Sequence, residues 1–140
     1  MKVKIKRLCK DSIIPNYVYL DDAGMDLYCI ESFSLAPGER RSVSSGLAFE
    51  IPRGYVGLIW DKSGLSHKYG LKTFGGVLDA GYRGELFVGL MNLSSKAFRF
   101  EKGHKIAQIL IQKIEHVEIK EVKKLSISKR GKGGLGSTGK

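Results

Sequence analysis

The sequence predicts an all-β fold of sandwich, jelly-roll or distorted-barrel type, and three observations predict it. Apolar side chains recur mostly at every second residue, the period at which one face of a strand meets a core. Eighteen glycines in 140 residues punctuate the chain every few positions, as the turns between short strands require. Only one stretch carries the three-to-four spacing of a helix.

Near the start, VKIKRL alternates and reads as the first strand. Ala36-Pro37-Gly38-Glu39 reads as a type II turn, with glycine where positive φ is needed. SVSSGLAFEI (42–51) follows as a strand and ends at Pro52-Arg53-Gly54, read as a type I turn with proline second. YVGLIW (55–60), ELFVGLMN (85–92), AFRF (97–100) and KIAQILIQKI (105–114) are the next strands. The second and last of these four are apolar on both faces and should be covered on both sides. The helical exception is SGLSHKYG (63–70): Ser63 can cap, Leu65 and Tyr69 share a face, and Gly70 can terminate.

At 15.5 kDa the length suits one domain with a single core, here assigned to residues 1–123 with a flexible tail over 124–140. No window approaches the roughly 18 apolar residues of a membrane span. The basic start has no continuous apolar centre of the kind a signal peptide has. A soluble, intracellular, cytoplasmic chain without membrane attachment is expected. Cys9 and Cys29 are too few and too oddly spaced for a disulfide framework or zinc site, so both are expected reduced and buried. His67, His104 and His116 lack metal-ligand spacing.

The formal charge is +10, which favours an anionic partner such as a nucleotide, a nucleic acid or a phosphorylated surface. Five Lys/Arg precede the first acid, Asp11, and six lie between Lys123 and Lys140 with no acid among them. Two glycine-rich stretches carry chemistry that such a ligand would need. In GGVLDAGYRGEL, the glycines let the backbone bend and a ligand approach, while Asp79 and Tyr82 put a carboxylate and an aromatic ring on one turn. The tail, RGKGGLGSTGK, has no helix after its GSTGK and so does not fit a Walker loop. A helix start at Ser63 with Lys62 beside it is a candidate anion seat.

Five segments in order, AGMDLY (23–28), KSGLSHKYG (62–70), GVLDAGYRGEL (76–86), GHKIAQILI (103–111) and RGKGGLGSTG (130–139), resemble the five motifs of the trimeric deoxyuridine triphosphatases (dUTPases) and span almost the whole chain. The resemblance implies a distorted jelly-roll-like β-barrel with one short helix and a flexible glycine-rich C-terminal tail. It implies hydrolysis of dUTP to dUMP and pyrophosphate, which keeps uracil out of DNA and supplies dUMP for thymidylate synthesis. It also implies Mg²⁺ on the triphosphate and a homotrimer with shared active sites, with no obligatory nucleic acid.

Residue by residue, Asp79 matches the general base that takes a proton from water attacking the α-phosphorus. Tyr82 matches the ring under the deoxyribose, and the backbone of Gly76, Val77 and Leu78 matches the segment that reads the uracil edge. Lys62, Ser63, Gly64, Gln108 and Arg130, with Gly134, Leu135, Gly136 and Ser137 of the tail, match the phosphate- and substrate-covering groups. Asp26 matches a carboxylate acting on magnesium through water. The tail is expected to fold over the triphosphate when substrate arrives.

Three positions depart from the family pattern. Lys62 stands where Arg is usual, keeping the charge but giving up the planar bidentate fork for phosphate. Lys105 stands where Arg is common, a change that bears on ion pairing more than on chemistry. Leu135 replaces a Phe that stacks on uracil, forfeiting stacking worth about 1–3 kcal/mol. Two rival readings exist. A dCTP deaminase would need a glutamate ten residues after Asp79, where Gly89 stands. A basic binding module would use the lysine-rich ends with Tyr82, Tyr55 or Trp60 to hold nucleic acid or a partner. Val117, Ile119 and Val122 in EHVEIKEVKKLSI are expected to pack on a neighbouring copy before the tail crosses over.

Overall fold

In the computed structural model residues 1–134 are described. Ten strands and one helix follow in the order β1 (Lys4–Arg7), β2 (Met25–Tyr28), β3 (Phe33–Leu35), β4 (Arg40–Glu50), β5 (Tyr55–Trp60), α1 (Ser63–Tyr69), β6 (Leu71–Phe74), β7 (Val77–Leu78), β8 (Glu85–Asn92), β9 (Phe98–Phe100) and β10 (Lys105–Lys113). They form two four-stranded sheets, β1-β4-β8-β6 and β2-β10-β5-β7, and a two-stranded β3-β9 ribbon. Every pairing is antiparallel.

The inward residues of all three layers meet in one core. Val43, Leu47 and Phe49 of β4 and Val88 and Leu90 of β8 face Leu27 of β2 and Ile106 and Ile109 of β10, with Phe33, Leu35 and Phe100 closing one end. Alternation put them there, since a period of two sends each second side chain to the same face. This is the jelly-roll-like β architecture that the sequence predicts, with one short helix.

The expected strands 55–60 and 85–92 match β5 and β8 residue for residue, and β10 ends one residue early at Lys113. Four strands were not anticipated: β2, β3, β6 and β7 have only two to four residues each, too few to show a period. Cover is incomplete on the two strands expected to be enclosed: Phe87 of β8 is exposed, and β10 opens from Leu110 onward. Cys29 is buried as expected, whereas Cys9 is only half-buried beside Ser12.

Local geometry corrects two further expectations. The Tyr55 N–H donates to the Pro52 carbonyl at 3.2 Å, so proline is the first turn residue rather than the second. Gly54 then sits third with φ 83°, which is the type II position. At α1 the N-cap is Lys62, extended at φ −83° and ψ 125°, and no side chain caps it. Ser63 is already helical, so its hydroxyl is not spent on the backbone. Gly70 does end the helix, left-handed at φ 66°.

A buried amide joins the ribbon to the first sheet. Asn92, fully buried, donates through Nδ2 to the carbonyls of Leu35 (3.0 Å) and Lys96 (2.8 Å). Its Oδ1 accepts from the Ser94 N–H (2.9 Å) and hydroxyl (2.8 Å). All four bonding directions of the amide are filled. Asn92→Leu should therefore lower the denaturant midpoint of unfolding by an amount equivalent to about 2–4 kcal/mol, because several buried groups lose their partner at once; an unchanged midpoint would show that the amide is dispensable.

Candidate active site

Two pockets carry the motif residues, one beside the β6–β7 hairpin and one beyond the end of β5 at Lys62. The first is a cleft of about 230 Å³ between the β6–β7 hairpin and β8, walled by Ile59, Val77, Leu78, Tyr82, Leu86 and Phe87, with Asp79 at its rim. The hairpin reaches β5 closely because of glycine. The Ile59 N–H donates to the Gly76 carbonyl at 2.7 Å, and a Cβ on residue 76 would stand 2.5 Å from the Ile59 carbonyl oxygen. Gly75 turns the chain at φ 63°. β7 is the outermost strand of its sheet, so its free edge offers backbone N–H and C=O groups to a ligand.

After β7 the chain turns through Asp79, with the Tyr82 N–H donating to the Asp79 carbonyl at 3.1 Å. Arg83 Nη1 holds this turn from below, bonding the carbonyls of Ala80 (2.6 Å) and Tyr82 (2.8 Å). The Asp79 side chain is exposed and has no hydrogen-bond or ion-pair partner among the described residues. The Tyr82 ring folds back over Gly84, where a Cβ would come within 2.4 Å of its hydroxyl, and that hydroxyl donates to the Glu85 carbonyl at 3.0 Å. Gly89 is equally closed to a side chain: a Cβ there would lie 2.6 Å from the Phe74 carbonyl oxygen. A catalytic glutamate therefore has no room at that position.

The second pocket, about 390 Å³, is polar and is lined by Asp22, Gly24, Asp26, Lys62, Lys105 and Gln108, with Val18 and Tyr19 at its edge. Asp26, buried on β2, gives one carboxylate oxygen to Lys62 and the other to Lys105 at 2.6 Å. Burial pushes the Asp26 carboxyl up, but hydrogen bonds from Lys105 and Lys62 outweigh it and hold the group below its ordinary value. The same hydrogen bond, with the Asp26 charge, pushes Lys105 up. Gln108 Nε2 donates to the Asp61 carbonyl at 2.9 Å. A Cβ on Gly24 would stand 2.6 Å from Gln108 Oε1, so the glycine of motif 1 makes room for the glutamine of motif 4.

Asp61 anchors the segment between β5 and α1, and sequence reasoning missed it. Its carboxylate accepts from the Thr73 N–H and hydroxyl, both 2.7 Å, and from Lys72 at 2.6 Å. Burial works against its ionisation, but these three donors prevail and its pKa falls. Asp22 was missed as well. Its signal was adjacency to motif 1, and its carboxylate accepts from the Tyr19 N–H at 2.9 Å.

Lys62, Gln108 and Asp26 are thus brought together, with exposed Ser63 and Gly64 next in the chain. Val77, Leu78, Asp79 and Tyr82 are brought together elsewhere, with Gly76 beside them against β5. Arg130 folds back on its own tail, its Nε 2.9 Å from the Gly133 carbonyl and its Nη2 3.4 Å from that of Gly134, and lines neither pocket. Leu135, Gly136 and Ser137 lie outside the described residues.

The dUTPase family model matches residues 10–139. The deoxyuridine 5'-triphosphate nucleotidohydrolase of Nautilia profundicola is 46% identical over 142 residues, covering 100% of both chains. Among solved structures, the dUTPase of Staphylococcus bacteriophage 80alpha with dUPNHPP superimposes with a TM-score of 0.92 at 32% identity, covering 99% of this chain and 98% of that one. A mutant dUTPase from phage phi11 of S. aureus, whose structure describes the coordination of a structural Mg(II) ion, gives a TM-score of 0.83 at 27% identity over 89% of this chain and 98% of its own.

The Asp26 pairing sets a pH dependence. A carboxyl whose folded pKa is depressed adds stability that is complete above its unfolded value near 3.8 and is lost as pH falls through the lower folded value. Lys105, raised above 10.5, adds stability that is complete below that value and is lost at higher pH. Asp26→Asn should lower the denaturant midpoint at pH 7 and flatten its decline below pH 4, since two lysines then face each other without a counter-charge. A variant midpoint that falls as steeply in acid as the parent's would assign the acid limb to other carboxyls.

Proposed function

The chain belongs to the dUTPase family and hydrolyses dUTP to dUMP and pyrophosphate, and from that premise we propose how its two pockets divide the work. The cleft at β7 takes the deoxyuridine. The free edge of β7 and the backbone of Gly76, Val77 and Leu78 read the uracil, and the close approach of that hairpin to β5 leaves thymine's methyl no space. Tyr82 lies under the deoxyribose, where a 2′-hydroxyl would meet the ring. Asp79, unpaired and at the rim, takes the proton of the water that attacks the α-phosphorus. A carboxylate in that role supplies about 10²–10⁴-fold in rate.

The second pocket meets the phosphates. Lys62, Ser63, Gly64 and Gln108 supply cationic and neutral donors, and Arg130 joins them when the tail, including Gly134, Leu135, Gly136 and Ser137, folds over the substrate. Positive groups placed there offset charge developing on the pyrophosphate leaving group. Among the described residues no three acidic, His or Cys side chains cluster as a metal seat, and both Asp26 oxygens are taken by lysines. That donor set suits Mg²⁺ carried on the triphosphate, with Asp26 touching its hydration shell. Mg²⁺ keeps most of its waters and leans on substrate phosphates in such sites.

One observation carries the assembly. Along the hairpin, Gly76 bonds Ile59, Val77 is opposite Leu58 and Leu78 opposite Gly57, so Asp79 is directed toward Val56 while Gln108 pairs with Trp60. Four strand steps and two strand spacings separate Asp79 from Gln108, roughly 16 Å between Cα atoms. Worse, the base-reading backbone lies between them, so a triphosphate leaving Asp79 would have to double back past its own uracil. The two pockets of one chain therefore serve different substrates, and each site is completed by a neighbour's second pocket in a homotrimer. The exposed Val117, Ile119 and Val122 suit such an assembly. The physiological outcome is a nucleotide pool kept low in dUTP and supplied with dUMP.

Pyrophosphate release should be confined to dUTP over dCTP, dTTP and UTP, and Asp79→Asn should reduce kcat about 10²–10⁴-fold. Subunit mixing tests the shared site. Inactive Asp79→Asn and inactive Lys62→Ala/Gln108→Ala proteins, denatured and refolded together, should regain a fraction of parental activity, because some sites pair an intact Asp79 with an intact Lys62 and Gln108. A mixture as inactive as its components would place the whole site within one chain.

A further inference from the structure

Glu85, the first residue of β8, has no role in the chemistry described above, yet it lies where the nucleoside cleft joins the rest of the barrel. β4 and β8 pair from Arg40↔Met91 to Ser44↔Phe87, lose register, and pair again only at Ala48↔Glu85. Over this bulge β4 uses more residues than β8, and Gly46 adopts φ 65°. Ladder bonds are missing there, and because Ser45, Gly46 and Leu47 are buried the backbone groups left over need protein partners.

Side chains supply them. Glu85 Oε1 accepts from the Gly46 N–H at 2.9 Å and from the Ser44 hydroxyl, while the Ser45 hydroxyl donates to the Leu86 carbonyl at 2.6 Å. On its far side the bulge is pinned by the Leu8 N–H (2.8 Å) and the Ser12 hydroxyl (2.6 Å), both donating to the Gly46 carbonyl. The Glu85 carboxylate therefore replaces the lost rungs and fixes where β8 begins. The carbonyl of that same residue is the acceptor of the Tyr82 hydroxyl.

We propose that Glu85 is a positioning residue for sugar selection: its carboxylate, locked into the β4 bulge, sets the height of the Tyr82 ring and so the rejection of a ribose 2′-hydroxyl. The inference rests on the reading of Tyr82 as the wall under the deoxyribose. Gly84 leaves the ring one place to lie, against the backbone of its own turn, so ring height follows the Glu85 carbonyl directly. A displacement near 1 Å can cost on the order of 10²-fold when it misplaces a reacting or excluded atom. Asp79 lies at the start of the turn, its carbonyl accepting from the Tyr82 N–H while Arg83 braces the carbonyls of Ala80 and Tyr82, and its side chain makes no bond to the bulge.

The test compares KM and kcat for dUTP and UTP in the parent, Glu85→Ala, Glu85→Gln, Ser44→Ala and Tyr82→Ala proteins, with cooperative thermal unfolding confirming that each is folded. Glu85→Ala should lower the dUTP-over-UTP ratio of kcat/KM about tenfold, mainly through a lower KM for UTP, with kcat for dUTP within about threefold and its pH profile unmoved. Glu85→Gln should recover most of the ratio, because both donors converge on one oxygen that glutamine retains. Ser44→Ala, which removes only one donor, should fall between parent and Glu85→Ala, and it decides the matter if Glu85→Ala does not fold. Equal losses for dUTP and UTP, or a full ratio in folded Glu85→Ala or Ser44→Ala, would overturn the proposal. If Tyr82→Ala itself keeps the full ratio, the reading of Tyr82 falls and the proposal with it; if only Tyr82→Ala loses the ratio, Tyr82 stands and Glu85 does not.

Discussion

The ladder that β5 makes with β10 on one side and β7 on the other fixes where Gln108, Val77 and Leu78 stand relative to Lys62 and Asp79. Gly57 at its centre shows how tight the packing is: a Cβ there would meet the Ile51 Cδ1 at 2.9 Å and both Ile109 and Leu78 at 3.1 Å. Six consecutive register pairs tie β5 to β10, so neither end of the strand moves without the other. One end delivers Lys62 and the start of α1; the other directs Asp79. A rigid strand between the two pockets makes their separation a fixed property of the fold, and the proposed sharing of sites between chains follows from that separation.

The two half-sites use different physics. The nucleoside cleft is built from backbone: the free edge of β7, the close contact of Gly76 with Ile59, and a turn braced by Arg83. The phosphate pocket is built from charge. Asp26 collects Lys62 and Lys105 and leaves the cluster with a net positive charge whose geometry is set before any substrate arrives. Such preorganisation removes most of the cost of gathering cations around a polyphosphate. It also explains how lysine serves where arginine is usual. An ammonium is a point charge without a planar fork, and Asp26 aims each one by occupying one of its donors.

How far the sequence foretold this depends on length and contact. Long strands such as β5, β8 and β10 declare themselves because six or more residues show a period, while β7 shows none in two residues. The five motifs located Val77, Leu78, Asp79 and Tyr82 of one pocket and Asp26, Lys62 and Gln108 of the other, but not which residues would share a pocket. That partition depends on which way β7 and β10 run along β5, a fact of topology that no local pattern contains. Lys105 was legible as an ion-pairing residue, yet its partner Asp26 lies on another strand. Glu85 and Asp61 were silent for a related reason. Each looks like an ordinary surface acid, and only the β4 bulge and Thr73, both distant in sequence, give them partners.

On the proposed division of the two pockets, selectivity has to come mainly from the backbone half. A pocket that distinguishes substrates by one methyl gains only about 1–3 kcal/mol from packing, and more requires that the wall cannot yield. Here the wall is a two-residue strand clamped to β5 through Gly76 and closed below by a turn that Arg83 and the Tyr82 hydroxyl bond tie together. Phosphate contacts are the same for every nucleoside triphosphate and add affinity without choice. On the proposed reading, a tail with Leu135 in place of a stacking phenylalanine contributes less to holding the base, so a larger share of discrimination falls on the hairpin. The glycines at 76, 84 and 89, each closed to a Cβ by a neighbouring backbone or ring atom, are what let that hairpin be both close and unyielding.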